Sequence, residues 1–174
     1  GVFGMWYGKG PGVDRSGDAL KHANNAGSSE HGGVLAVFGD DHPGKSSTLA
    51  HQSEQGLVGF SMPILYPATL QEYLDYALYG WAMSRFSGLW SGFKCVNETV
   101  ENTATVDIDR DRVQIVIPEF DDPAPYHIKM RYAPMEDDVI LLRRRLPRVR
   151  AFAAANGLDR VALGDAHANF GIVT

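Results

Sequence analysis

The chain has 174 residues, enough for one domain or one and a part, and its 44% hydrophobic and 21% charged content belongs to a globular protein rather than a disordered one. A formal net charge of -5 argues against general nucleic-acid binding, and no apolar run approaches the ~20 residues of a membrane span. The single cysteine, Cys95, excludes a disulfide framework and fits a reducing compartment, so a cytoplasmic location is expected, with neither nucleic acid nor membrane as partner.

The first element is Val2-Phe3-Gly4-Met5-Trp6-Tyr7, which reads as a strand already under way, as in an internal piece of a longer polypeptide. Gly8-Lys9-Gly10-Pro11-Gly12 reads as a loop by its Gly and Pro content. Residues 13–25 predict a helix opening near Asp14, with Gly27 just past its end. Residues 28–32 are a short loop. The stretch around which the rest is organised follows, residues 33–55. Val34, Leu35, Ala36, Val37 and Phe38 form the continuous apolar run of a strand covered on both faces. Gly39 to Lys45 cannot continue it, Ser46, Ser47 and Thr48 are good N-caps, and residues 49–58 can follow as helix.

Residues 62–66 predict a short second strand between Pro63 and Pro67. Residues 69–84 predict a helix: Thr69 and Glu72 make a capping box, Leu70, Tyr73, Leu74, Ala77, Leu78 and Trp81 share a face, and Gly88 ends the element. Residues 89–96 predict a third strand. Strand alternating with helix implies an α/β fold, a mostly parallel sheet flanked by helices. Residues 99–107 and 112–117 then predict a β-hairpin around the charged turn Ile108-Asp109-Arg110-Asp111. Residues 121–134 read as a Pro-rich connection. Residues 136–146 predict a helix, and Pro147 opens another running to residue 156, stopped by Gly157. Arg143, Arg144, Arg145, Arg148 and Arg150 read as a solvated helix face answering Glu136, Asp137 and Asp138. Phe170-Gly171-Ile172-Val173-Thr174 reads as the start of a further strand.

Open α/β sheets bind ligands where strands end at their carboxyl edge. The loop after the central strand is therefore the first candidate site. Gly39-Asp40-Asp41-His42-Pro43-Gly44-Lys45-Ser46 fits G-x-x-x-x-G-K-[ST], which leaves a P-loop-type nucleotide-binding domain as an alternative. Two aspartates beside a triphosphate would repel it, and no acidic strand end follows nearby. Asp40, Asp41, His42 and His51 contain metal-ligand types. The simpler expectation is that they order the turn, and no metal is assigned to them. Cys95 reads as a small core residue in its apolar strand, and Asp165 and His167 as a surface loop. No Gly-x-Ser-x-Gly elbow and no Cys-x-x-Cys pair is present.

Three long motifs carry a resemblance. They are Tyr7-Gly8-Lys9-Gly10-Pro11-Gly12-Val13-Asp14-Arg15-Ser16-Gly17-Asp18, the run Gly33-Val34-Leu35-Ala36-Val37-Phe38-Gly39-Asp40-Asp41-His42 with Lys45-Ser46-Ser47-Thr48, and Tyr66-Pro67-Ala68-Thr69-Leu70-Gln71-Glu72-Tyr73. Together they resemble the long fused indolepyruvate ferredoxin oxidoreductases, members of the thiamine-diphosphate-dependent 2-oxoacid:ferredoxin oxidoreductases, over essentially the whole chain.

The resemblance implies a partial pyrimidine-binding domain over residues 1–118, a connecting segment with helices over 119–169, and the first strand of a following domain at 170–174. It implies oxidative decarboxylation of an aryl pyruvate such as indolepyruvate to the acyl-CoA, with electrons passing through iron–sulfur clusters to ferredoxin. The implied partners are a 2-oxoacid, coenzyme A, ferredoxin, the remaining domains of the same chain and a second copy in a homo-oligomer. The activating glutamate is expected upstream of Gly1. The Mg²⁺-diphosphate site and the cluster cysteines are expected in other segments, so no catalytic residue and no metal ligand is assigned here. The residues placed at the wall of the site are Lys9, Asp14, Asp40, Asp41, His42, Ser46, Ser47 and His51. A non-catalytic module for subunit packing is the other alternative.

Overall fold

A computed structural model of the chain describes all residues except 1, 46–48, 123–125, 132, 165–166 and 173–174. The apolar run at the centre of the chain forms strand β2, Val34–Asp40. Side chains alternate across a strand, so a strand with apolar residues at every position has to be covered twice. Ala36 and Phe38 enter one core with Val13, Leu20, Leu57 and Met62. Leu35 enters the other with Leu65, Ala82, Met83, Phe93 and Phe152, and Val37 packs against it.

β1, Gly4–Lys9, and β4, Ser91–Val96, flank β2, and β3, Ile64–Leu65, lies beyond β4. The order is β1-β2-β4-β3 and every neighbouring pair is parallel. The fold is thus α/β, a parallel sheet with helices on both faces. On one face lie α1, Gly10–Arg15, α2, Gly17–Ala26, and α3, Glu54–Gly59. On the other lie α4, Leu70–Ser87, and α7, Leu146–Ala155. The Thr69 hydroxyl caps α4 by accepting from the Glu72 N–H, the Glu72 carboxylate accepts from the Ala68 N–H, and Gly88 closes the helix at φ 81°.

Several boundaries differ from the sequence expectations. The Gly-Pro-Gly segment is not a loop: β1 runs through Lys9 and α1 begins at Gly10, with Pro11 in its first turn, where a missing N–H is harmless. Ser16 separates α1 from α2, so residues 13–25 hold two short helices rather than one. After the central loop, helix begins at Glu54, not at Leu49, and the proposed N-caps Ser46, Ser47 and Thr48 lie outside the described residues.

The predicted hairpin does not form. α5, Asn97–Val100, continues from β4, and no strand occurs among the described residues between it and α6, Pro134–Ile140. The reason lies in where the backbone finds its partners. Gln71 on α4 brackets residue 107, accepting from the Asp107 N–H at 2.7 Å and donating to the Asp107 carbonyl at 3.1 Å. Asn156, just past α7, brackets Val116 in the same way, at 2.8 Å in both directions. Arg112 adds a 2.6 Å ion pair to Asp75, whose carboxyl is held below its ordinary range by that bond. Amide side chains thus satisfy backbone groups that a second strand would otherwise have taken.

The arginine cluster is a solvated face only in part: Arg143 and Arg150 are exposed, but Arg145 and Arg148 are not. Arg145 is fully buried and donates to the carbonyls of Tyr126, Asn25 and Ala26, tying the end of α2 to the C-terminal helices. Arg148 is buried too, donates to the Asp122 carbonyl and lies over the rings of Tyr126, Phe120 and Phe86. Between α6 and α7 the chain makes a π-helical turn, Leu141–Arg145, just before Pro147, whose missing N–H breaks the ordinary ladder there. Residues 170–172 carry no strand, and residues 173–174 lie outside the described residues. No helix among the described residues is long and apolar enough to cross a membrane.

Candidate functional site

Asp40 is the last residue of β2 and follows Ala36 and Phe38 at a spacing of two, so it shares their face. On β4, Lys94 stands opposite Phe38 in register and belongs to that face as well. The face is closed by α3, whose first residue is Glu54. An aspartate, a lysine and a glutamate from three elements therefore meet beyond the carboxyl ends of β2 and β4.

Their bonds are explicit. The Ser53 N–H donates to Asp40 Oδ2 at 2.8 Å, and the Ser53 hydroxyl to Asp40 Oδ1 at 2.6 Å. Lys94, only 1% exposed, donates to Glu54 Oε1 and lies 3.7 Å from Asp40 Oδ2. The Tyr66 ring centroid is 4.5 Å from its ammonium, on which the ring face exerts a further attraction. Burial pushes the Glu54 carboxyl up, but the Lys94 hydrogen bond and the charges of Lys94 and His42 outweigh it and hold the pKa below the ordinary range. A lysine this buried requires such partners.

Beside this cluster opens a pocket of about 420 Å³ lined by His42, Tyr66, Pro67, Ala68, Val96, Glu98 and Thr99. Three buried polar atoms of described residues at this edge have no hydrogen-bond partner, Nε2 of His42, Oε2 of Glu54 and Nδ2 of Asn97. One ligand atom each from Asp40, His42 and Glu54 falls within 4.8 Å of the others.

A second cluster lies along the same edge. Lys9 ends β1 opposite Gly39, the first residue beyond the apolar run of β2. Asp14 on α1 lies 3.6 Å from His51 Nε2. Gly10 makes room for that imidazole, because a Cβ at position 10 would overlap the His51 ring. The glycine in Lys9-Gly10-Pro11-Gly12 thus has a packing reason.

Of the residues expected at the site, Lys9, Asp14, Asp40, Asp41, His42 and His51 all come to the carboxyl edge. Ser46 and Ser47 lie outside the described residues. Sequence reasoning missed Lys94, Glu54 and Ser53. The available signal was Lys94 itself, a lone charge inside an apolar strand, which has to find a counter-charge.

No family model, curated protein or solved structure matches this chain. Its site is read from geometry.

That geometry speaks against a phosphate cradle. Such a cradle needs free backbone N–H groups at a helix N-terminus. Here the Lys45 N–H donates to Asp41 Oδ1 at 3.0 Å, the Gly44 and His51 N–H groups to the Asp41 carbonyl, and the Ser53 N–H to Asp40. Among the described residues, the lysine of the G-x-x-x-x-G-K pattern precedes the next helix by nine positions, since α3 starts at Glu54. Neither a nucleoside triphosphate nor the diphosphate of thiamine diphosphate fits the described part of this loop. Cys95 does not suit an iron–sulfur cluster: it is the only cysteine, and burial pushes its thiol up to about 11, away from the thiolate a cluster requires.

Proposed function

We propose that the chain forms one wall of the active site of a thiamine-diphosphate-dependent 2-oxoacid:ferredoxin oxidoreductase, with the diphosphate and the clusters held by other segments. The observation that carries the reading is the convergence of Lys9, Asp14, Asp40, Asp41, His42 and His51, from two segments far apart in sequence, at the carboxyl edge of a parallel sheet. This is where α/β sheets place their ligands. The pocket beside it also supports the reading. Tyr66, Pro67, Ala68 and Val96 offer an apolar wall, and His42 and Glu98 a polar rim. That combination fits the flat pyrimidine ring, with polar groups at its edge. When bound, the cofactor supplies a carbanion equivalent for decarboxylation, the hard part of the chemistry. The chain's own residues give the ring a shaped, partly dry wall and fix the rim groups in place.

The test is Asp14→Asn in the complete oxidoreductase. Asp14 is exposed, so folding is preserved, and its carboxylate orients His51. Weakening one such charge-assisted contact at a reacting site lowers kcat/KM about tenfold or more. Wild-type kcat/KM with a 2-oxoacid would remove this edge from the active site. The packing-module alternative would then lead, with the exposed Phe3, Met5 and Tyr7 along edge strand β1 as its contact face.

A further inference from the structure

Two groups at the ends of β2 and β4 that can bind a cation keep a buried atom without a partner. Lys94 is consumed by Glu54, Asp40 and the Tyr66 ring. Beside the Asn97 amide nitrogen, what stays unpartnered and buried there is a carboxylate oxygen, Glu54 Oε2, and an imidazole nitrogen, His42 Nε2. Both belong to the group in which Asp40, His42 and Glu54 offer one atom each within 4.8 Å. A cation placed among these three would satisfy both carboxylates and the imidazole at once.

We propose that Asp40, His42 and Glu54 bind a divalent first-row transition ion, with its remaining coordination position open to the neighbouring pocket. An imidazole beside two carboxylates selects zinc or cobalt over magnesium or calcium, which prefer all-oxygen shells. Ligand atoms around a tetrahedral zinc stand ~3.4 Å apart, given bonds near 2.1 Å, so a small rotation of the partly exposed Glu54 side chain closes the set. The outer shell is already built: Ser53 holds both oxygens of Asp40 from behind, leaving each a free lone pair. Three protein ligands and one open position is the arrangement of a catalytic rather than a structural metal centre. The pocket lined by His42, Val96 and Thr99 supplies the way in. Lys94 competes with the ion, because its ammonium neutralises the same two carboxylates.

The site is separate from the magnesium expected with the diphosphate, and the proposal does not rest on the oxidoreductase reading, since binding is read without turnover. The experiment is calorimetric titration of the untagged chain with zinc chloride, with visible ligand-field spectra of the cobalt complex and magnesium chloride as control. The expected result is one zinc per chain, intense tetrahedral cobalt bands, and no magnesium binding in the same range. Glu54→Gln and His42→Ala should each weaken zinc binding about tenfold or more. Lys94→Met should bind zinc more tightly than wild type, and zinc should raise its melting temperature by more. His42 lies in a loop outside the packed cores, so His42→Ala decides the matter if Glu54→Gln fails to fold. No zinc binding at millimolar metal, equal binding of magnesium, or wild-type zinc affinity in His42→Ala would each overturn the proposal.

Discussion

Lys94 shows how much one buried charge organises. Its strand neighbours Phe93 and Cys95 face α4 and Tyr73, while Lys94 alone turns to the α3 side and meets Asp40 and Glu54. Removing one member of a buried ion pair leaves the others desolvated and uncompensated, at a cost of about 3–5 kcal/mol. Lys94→Met should therefore lower the unfolding free energy of the metal-free chain by that much, read from equilibrium unfolding in urea. Little change would mean that Asp40 is satisfied by Ser53 alone. Glu54 gives the same cluster a pH signature. Its folded carboxyl titrates below its ordinary value of 4.5, so its contribution is present in full above that value and is lost as pH falls through the folded pKa. Asp75 acts in the same direction through Arg112. Stability should fall on acidification below about 4.5, and Glu54→Gln should flatten part of that limb in melts recorded across pH. The six expected residues found at the edge were legible because they sit in or beside unusual polar stretches that follow apolar strands. Glu54 and Ser53 were not, because nothing in their local sequence says that a buried lysine waits on another strand.

At the scale of elements, the strands were legible and their surroundings less so. β2 and β4 announce themselves by apolar runs, and α4 by its capping residues and a stop at Gly88. The hairpin was misread because Thr99 to Ile117 has strand-like composition, and composition does not show that Gln71 and Asn156 will take its backbone groups. The arginines were misread for a related reason: a cluster of charge looks solvated until carbonyls at the end of α2 and three aromatic rings close around it. The start of α1 is a case in which the motif and the packing agree. Gly10 is buried under the His51 ring, and even one methyl group there would overlap it. Overpacking of this kind costs about 1–3 kcal/mol. Gly10→Ala should lower stability by that amount and separate His51 from Asp14, an effect visible as a shifted His51 ring resonance in NMR. An unchanged His51 resonance would show that the imidazole is held by something other than this contact.

On the proposed reading, the chain offers a wall rather than a complete reaction centre. Oxidative decarboxylation with ferredoxin as acceptor needs a bound diphosphate, a conduit for single electrons and a cofactor-activating acid. The Gly44, Lys45, His51 and Ser53 amides of the central loop are spent on Asp40 and Asp41, so its described part is a poor cradle for the diphosphate. A cluster conduit needs several thiolates, and the one thiol present lies half-buried in β4, pushed up to about 11 and hydrogen-bonded to Tyr73. Glu54, the acid buried at this edge, is already claimed by Lys94. The 174-residue chain alone, supplied with thiamine diphosphate, magnesium, coenzyme A and a 2-oxoacid, should therefore leave methyl viologen oxidised. The assay is anaerobic absorbance of the viologen radical, with the complete oxidoreductase as positive control. Saturable reduction by the chain alone would mean that it holds both the carbanion chemistry and a route for electrons, and the assignment of those parts to other segments would fail. Absence of reduction by the chain, with activity in the complete enzyme that falls when Asp14 is neutralised, is the pattern that a site wall produces and a bystander domain does not.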